Sequence, residues 1–148
     1  MKVLSKVLLV LAILLTLTAC GKKEEITAND FNQIMREEGF YVTDISDEME
    51  DTNISNVYTA NNKEFQIEFY VFKSNDIAKQ AYESNKDMFV QNKDYEGKEK
   101  SDDDYNEYTQ ETEDYYNVLK RVGKTLLYAS VNVDYKGDVK SAINKLGY

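Results

Sequence analysis

The 148-residue sequence has no histidine, no proline and no tryptophan, and it contains a single cysteine. Without histidine, a Ser-His-Asp triad, an imidazole general base and a histidine metal site are excluded. One cysteine excludes an internal disulfide and a multi-cysteine zinc site. Basic residues are outnumbered 18 to 27 by acidic ones, which gives a formal charge of -9. A nucleic-acid-binding protein needs a basic face, so we predict no nucleic-acid partner.

The first 20 residues have the pattern of an export signal. Lys2 and Lys6 supply positive charge, and an almost wholly apolar segment of 11 residues follows at 7–17. The hydrocarbon core of a bilayer is about 30 Å thick and needs about 20 apolar residues to span it as a helix. We therefore interpret the segment as a signal peptide rather than a transmembrane helix.

The signal segment ends in Leu17-Thr18-Ala19-Cys20, an aliphatic residue and two small residues before the only cysteine. This resembles the lipobox of bacterial lipoproteins. The resemblance implies that a transferase attaches diacylglycerol to the Cys20 sulfur and that signal peptidase II, recognising the three preceding residues, cleaves before Cys20. Two acyl chains anchor a protein stably where one gives only marginal binding. The alternative is a plain secretory signal followed by an incidental cysteine.

The resemblance divides the chain into three parts: a lipoprotein signal peptide at 1–19, a lipidated cysteine with a short tether at 20–26, and one globular domain at 27–148. We expect the mature protein to be anchored in the cell membrane through Cys20 and to face the extracytoplasmic side. Loss of the two signal-peptide lysines changes the formal charge from -9 to -11.

The tether sequence predicts that the domain lies close to the bilayer. Residues 21–25 reach roughly 20 Å when fully extended. Lys22 and Lys23 follow the lipobox directly. They either contact anionic headgroups, each contributing about 1 kcal/mol near the surface, or remain solvated charges of the tether.

Hydrophobic periodicity predicts a single α+β domain with a mostly antiparallel sheet of about six strands and about three helices packed on it. Helices are predicted at about 27–39, 74–91 and 137–146, and strands at about 41–45, 56–60, 64–72, 108–112, 115–122 and 125–133. Thr27 and Ser74 are predicted N-caps. Gly123-Lys124 predicts a two-residue type II′ hairpin turn. The polar segment 92–104 is predicted to be an exposed loop or a mobile hairpin tip.

The order helix, three strands, helix, three strands, helix is similar to the α/β/α sandwich of PsbP-type proteins. The similarity covers the order of elements only, and a fold by itself does not carry function. Segments 65–71 and 127–133, each followed by a helix, also share an apolar pattern. This pattern indicates either a weak internal repeat or, as we favour, two ordinary strand-helix units.

Acidic residues dominate the chemistry that the sequence offers. The run 101–104 with Glu107 and the run 44–51 could supply oxygen ligands to Ca²⁺, but they lack the ligand spacing of an EF-hand loop. We favour solvated surface charge and predict no metal and no cofactor. The sequence has no nucleophile elbow and no phosphate loop, so we assign no catalytic residue and predict a non-enzyme. The alternative is a small envelope hydrolase that uses paired carboxylates or a Ser-Lys pair.

Tyrosine is unusually abundant, with 12 residues, all beyond the signal segment. Tyrosine buries a large area at low entropic cost and keeps a hydroxyl, so it is enriched at recognition surfaces. The candidate binding surface, for an envelope protein or polymer, consists of Tyr95, Tyr105, Tyr108, Tyr115 and Tyr116. Alternatively, tyrosine fills a sheet face in a chain without tryptophan. The sequence thus predicts a non-catalytic binding module, with a structural or stress-related lipoprotein as a further alternative.

Replacing the lipobox cysteine tests the anchoring prediction. We expect Cys20→Ala to yield a precursor that keeps residues 1–19 and carries no lipid, because the acceptor sulfur is gone. Mass spectrometry of the membrane-associated protein measures both properties. Cleavage of the variant at the same peptide bond would contradict the lipobox interpretation.

Overall fold

Residues 23–148, the part that this computed structural model describes, form one seven-stranded antiparallel sheet with three α-helices. The predicted signal peptide and Cys20 lie outside the described residues. The helices are α1 (Ala28–Glu37), α2 (Asn75–Val90) and α3 (Lys136–Lys145). The strands are β1 (Tyr41–Asp44), β2 (Ile54–Asn61), β3 (Gln66–Phe72), β4 (Gly97–Asp102), β5 (Tyr105–Glu111), β6 (Tyr115–Val122) and β7 (Thr125–Asn132). The predicted α+β class is confirmed.

The strand order is β1-β2-β3-β7-β6-β5-β4, so β3 and β7 meet in the middle of the sheet. Strands β1 to β3 form one antiparallel meander and strands β4 to β7 form the other. Helix α2 connects the two meanders, between β3 and β4. None of the helices within residues 23–148 is long and apolar enough to span a membrane.

Strand alternation places apolar side chains on both faces of the sheet. Phe69 and Leu127 face the core that is closed by α1 and α3. Phe72 and Leu126 face the opposite side, where they pack with Ala78 of α2. The helices therefore lie on both faces, in agreement with the predicted three-layer sandwich.

The predicted helix starts are confirmed by their hydrogen bonds. The Thr27 hydroxyl accepts from the Asp30 amide at 3.1 Å, and the Asp30 carboxylate accepts from the Thr27 amide at 2.9 Å. The Ser74 hydroxyl accepts from the Ile77 amide at 3.3 Å. Both residues thereby satisfy amide groups that the first turn of a helix leaves unpaired.

The prediction of a loop at 92–104 is wrong over its second half. Strand β4 pairs with β5 from Gly97 opposite Gln110 to Asp102 opposite Tyr105. All six residues of β4 are exposed, so the strand lacks the apolar alternation by which strands are recognised. A Cβ atom at Gly97 would lie 2.0 Å from the Tyr108 hydroxyl oxygen, so the glycine makes room for that ring. The charged side chains of β4 also suit its position at the edge of the sheet, where they oppose pairing with another chain.

The predicted hairpin turn is confirmed. Val122 pairs directly with Thr125, which leaves Gly123 and Lys124 as the two turn residues. Gly123 has φ +54°, whereas Lys124 is not among the residues of positive φ. This is the backbone pattern of a type II′ turn, which favours glycine at its first position.

Arg121 is only 1% exposed, yet its guanidinium is well supplied with acceptors. Its Nε donates to Asn106 Oδ1 at 2.6 Å. Its two terminal nitrogens donate to the carbonyl oxygens of Gly123 at 2.9 Å and Asp103 at 3.0 Å. Since these carbonyls belong to the β6–β7 and β4–β5 turns, one buried side chain joins the two turns.

Removing this guanidinium is expected to destabilise the fold. Arg121→Met leaves two buried acceptors and one partly buried acceptor without their donor, so we expect the free energy of unfolding to fall by about 3 kcal/mol. Arg36→Met is the matched control, because the exposed Arg36 donates to the Val42 carbonyl and to Asn32 Oδ1 of its own helix, and the loss of these exposed contacts should cost about 1 kcal/mol or less. Urea unfolding followed by circular dichroism measures both. Equal losses for the two variants would contradict the role of Arg121.

Candidate functional site

Within residues 23–148, a single α-helix covers one face of the sheet. Seven strands at a spacing of about 4.8 Å are about 29 Å wide, whereas a helix with its side chains is about 10 Å in diameter. Helices α1 and α3 share one face, but α2 is alone on the other, where it packs on β3, β5, β6 and β7. A cleft consequently remains beside α2, towards β2 and β3.

The cleft has a volume of about 440 Å³ and is mostly apolar. This volume lies within the range of about 300–1,000 Å³ that is typical of small-molecule sites. Its floor comes from β3 and β7 and one wall from α2, and the lining residues are Asp51, Ile54, Glu68, Tyr70, Phe72, Ala81, Asn85, Met88, Leu126 and Tyr128. The lining includes two carboxylates and no lysine or arginine among the described residues.

Aromatic contacts fix the floor of the cleft. The rings of Tyr70 and Phe72 are nearly parallel, with centroids 6.2 Å apart. Phe89 of α2 lies nearly parallel to Tyr128 at 5.7 Å and to Tyr108 at 6.1 Å. Offset stacking of this kind adds to the energy of burial. The aromatic side chains of the floor are therefore held in place by one another and by α2.

The charge of the cleft comes from its carboxylates. The Tyr70 hydroxyl donates to Glu68 Oε2 at 2.5 Å, and Gln66 Nε2 donates to Glu68 Oε1 at 3.1 Å. Burial raises the pKa of Tyr70 well above its ordinary value, and the hydrogen bond to Glu68 raises it further. Burial, with the charge of Glu68, also raises the pKa of Tyr128. Both phenols thus stay neutral at physiological pH, and Glu68 and Asp51 make the cleft negative.

Exposed Met88, with 58% of its surface accessible, separates the cleft from a shallower second concavity of about 290 Å³. A polar chain lines the second concavity. The Ser130 hydroxyl donates to Asn117 Oδ1 at 2.6 Å, and Asn117 Nδ2 donates to Gln110 Oε1 at 3.4 Å. Gln110 Nε2 in turn donates to the carbonyl oxygens of Phe89 at 3.2 Å and Tyr95 at 3.1 Å. This network ties the end of α2, and with it the cleft wall, to β5 and β6.

The structure does not bring the five tyrosines of the predicted binding surface together on one face. Tyr108 is 5% exposed under α2, and Tyr116 is 7% exposed on the opposite face. Tyr105 is half-buried on the same face as Tyr116, where its hydroxyl donates to Glu107. The physical reason is strand alternation, which sends adjacent residues of β5 and β6 to opposite faces.

Two members of that set stay near the second concavity. Tyr115 is 52% exposed and lines it, and the carbonyl oxygen of Tyr95 accepts from Gln110 beside it. The tyrosines that line the cleft, Tyr70 and Tyr128, were not in the predicted set. The alternation of β3 already places Tyr70 on the face opposite Phe69, but only the pairing of Glu68 with Tyr128 brings β7 beside it.

The acidic clusters do not converge on a metal-binding arrangement. Within residues 23–148, no group of three acidic or cysteine side chains could hold a metal ion. A carboxyl that acts as a general acid near neutral pH works best when its pKa is raised. Hydrogen bonds from Thr27 and Ser46 lower the pKa of Asp30 and Asp44, respectively.

The pKa of Glu107 is lowered as well. Burial would raise it, but the hydrogen bond from Tyr105 and the ammonium of Lys120, 3.2 Å from the Glu107 carboxylate, outweigh burial. Glu107 does not line the cleft. Its partners explain it as a charge buried with its counter-charge, a structural arrangement on the face opposite α2.

Comparison with models of known protein families, with curated proteins and with solved structures gives no match for this chain. The lipoprotein and PsbP-type resemblances therefore gain no support from a relative. The features that bear on function are the cleft and the N-terminal sequence pattern.

Proposed function

We propose that the chain is a lipid-anchored, extracytoplasmic protein of the cell membrane whose domain acts as a non-catalytic binding module. The lipobox pattern ending at Cys20 supports the anchor. The observation that carries the binding role is the cleft beside α2, an apolar concavity left open to water. Water in contact with such a surface is displaced favourably by an apolar ligand, and concavities of this kind are the usual ligand sites.

The chemistry of the cleft favours a particular class of ligand. Its aromatic floor suits an apolar or aromatic group, and faces of Tyr70 and Tyr128 also attract cations. Glu68 and Asp51 accept hydrogen bonds and repel anions. The ligand is therefore an aromatic or apolar group with a cationic head, and a basic aromatic segment of another envelope protein has this chemistry.

The absence of tryptophan from the chain provides a direct test. Lys-Trp-Lys and Glu-Trp-Glu peptides are titrated with the lipidated chain in phosphatidylcholine vesicles, and the tryptophan fluorescence reports the peptide alone. We expect a saturable blue shift with Lys-Trp-Lys and about tenfold weaker binding, equivalent to about 1.4 kcal/mol, of Glu-Trp-Glu. Equal binding of the two peptides, or none, would contradict the proposed ligand class.

A matched pair of substitutions locates the site. Met88 and Val90 are both exposed residues near the end of α2, but only Met88 lines the cleft. We expect Met88→Lys to abolish the binding of Lys-Trp-Lys by adding positive charge to the rim, and Val90→Lys to leave it unchanged. Since both variants add the same charge to the chain, equal losses would show that the peptide binds elsewhere.

A further inference from the structure

Part of the predicted tether is bound to the domain. The Lys124 amide donates to Glu25 Oε2 at 2.6 Å, and Lys124 Nζ lies 3.9 Å from Glu25 Oε1. Lys23 Nζ donates to the carbonyl oxygen of Gly147 at 3.1 Å. Ile26 packs against the larger apolar core. Residues 23–26 are therefore docked on the domain and do not extend the reach of the proposed anchor.

The turn that receives Glu25 is shaped for it. A Cβ atom at position 123 would lie 2.1 Å from Glu25 Oε2, so a larger residue there would displace this carboxylate from its present place. Gly123 also has the positive φ that the turn requires. The same residue thus serves the hairpin and the docked segment.

Backbone hydrogen bonds join four of the segments that connect strands and helices at this end of the sheet. The Gly123 amide donates to the Asp104 carbonyl at 2.9 Å, which joins the β6–β7 and β4–β5 turns. The Phe72 amide donates to the Lys124 carbonyl at 2.9 Å, and the Lys73 amide donates to the Asn53 carbonyl at 3.0 Å. These contacts add the β3–α2 and β1–β2 connections. We call this end, with residues 23–26 docked on it, the anchored end.

We infer that the anchored end is the surface that faces the phospholipid headgroups, an inference that rests on the proposed lipid anchor at Cys20. From Cys20 to Lys23 the chain spans at most about 11 Å. The β5–β6 turn at 112–114 lies at the opposite end of the strands. Since β5 has seven residues, this distal turn is about 24 Å farther away.

The arrangement also sets the direction in which the cleft opens. Asp51 and Ile54 line it near the anchored end, and Met88 lines it towards the distal end. With the anchored end on the headgroups, the cleft opens sideways, parallel to the membrane surface. A partner that is itself attached to the membrane can reach it there.

Two labelled variants test the orientation. The only cysteine carries the lipid, so a second cysteine is a unique labelling site. Asp103→Cys labels the β4–β5 turn at the anchored end, and Glu113→Cys labels the distal turn; both remove one exposed carboxylate from a turn. The purified lipidated chain is placed in phosphatidylcholine vesicles that contain a headgroup-labelled acceptor lipid. We expect energy transfer from position 103 to exceed that from position 113 several-fold.

The outcomes separate this inference from the proposed anchor. A chain that floats with the vesicles but transfers equally from both positions overturns the orientation alone. A chain that does not float with the vesicles overturns the anchor and the orientation together. Flotation is measured on the same samples before labelling is compared.

A second matched pair tests whether the docked segment is responsible. Glu25→Ala removes the contacts with Lys124, whereas Glu24→Ala removes the same charge one residue away from them. We expect Glu25→Ala to reduce the difference between the two labels and Glu24→Ala to preserve it, with flotation unchanged in both. A full difference in the Glu25→Ala variant would overturn the docked segment as the orienting element.

Discussion

A single helix about 10 Å across cannot cover a sheet about 29 Å wide, and this mismatch determines where the domain is open. On one face, α1 and α3 together cover the sheet and enclose the larger core. On the other, α2 lies over the strands from β3 to β5 and leaves a step at its side. The cleft lies at that step because the sheet continues there and the helical layer does not.

A network of polar contacts holds the anchored end together. Arg121 joins the turns that hold Asp103 and Gly123, and Glu25 bonds to the second of these turns. The docked segment is thus connected through one polar network to the middle strands of the sheet. Because β7 also contributes Leu126 and Tyr128 to the cleft, the docked segment and the cleft are attached to the same strands.

The sequence predicts the elements that carry their own local signal. The helices have caps at Thr27 and Ser74, and the buried strands have apolar alternation, so both were found. Strand β4 has six exposed residues and is held by pairing with β5, so no local pattern reveals it. The cleft depends on the meeting of β3 with β7, a contact between distant segments. The five predicted tyrosines do not share one surface, because residues that are close in sequence alternate between the two faces of a strand.

Charge acts on the two surfaces of this domain at different ranges. The chain as a whole is acidic, and its field extends over a Debye length of about 10 Å at 0.1 M salt. An anionic ligand is therefore repelled before it reaches the cleft. Within the cleft, the Glu68 carboxylate lies beside the aromatic floor, so its charge acts only at short distance. Under the proposed binding role, a basic aromatic group suits both ranges, because the acidic chain would attract its positive charge and the aromatic floor would receive its ring.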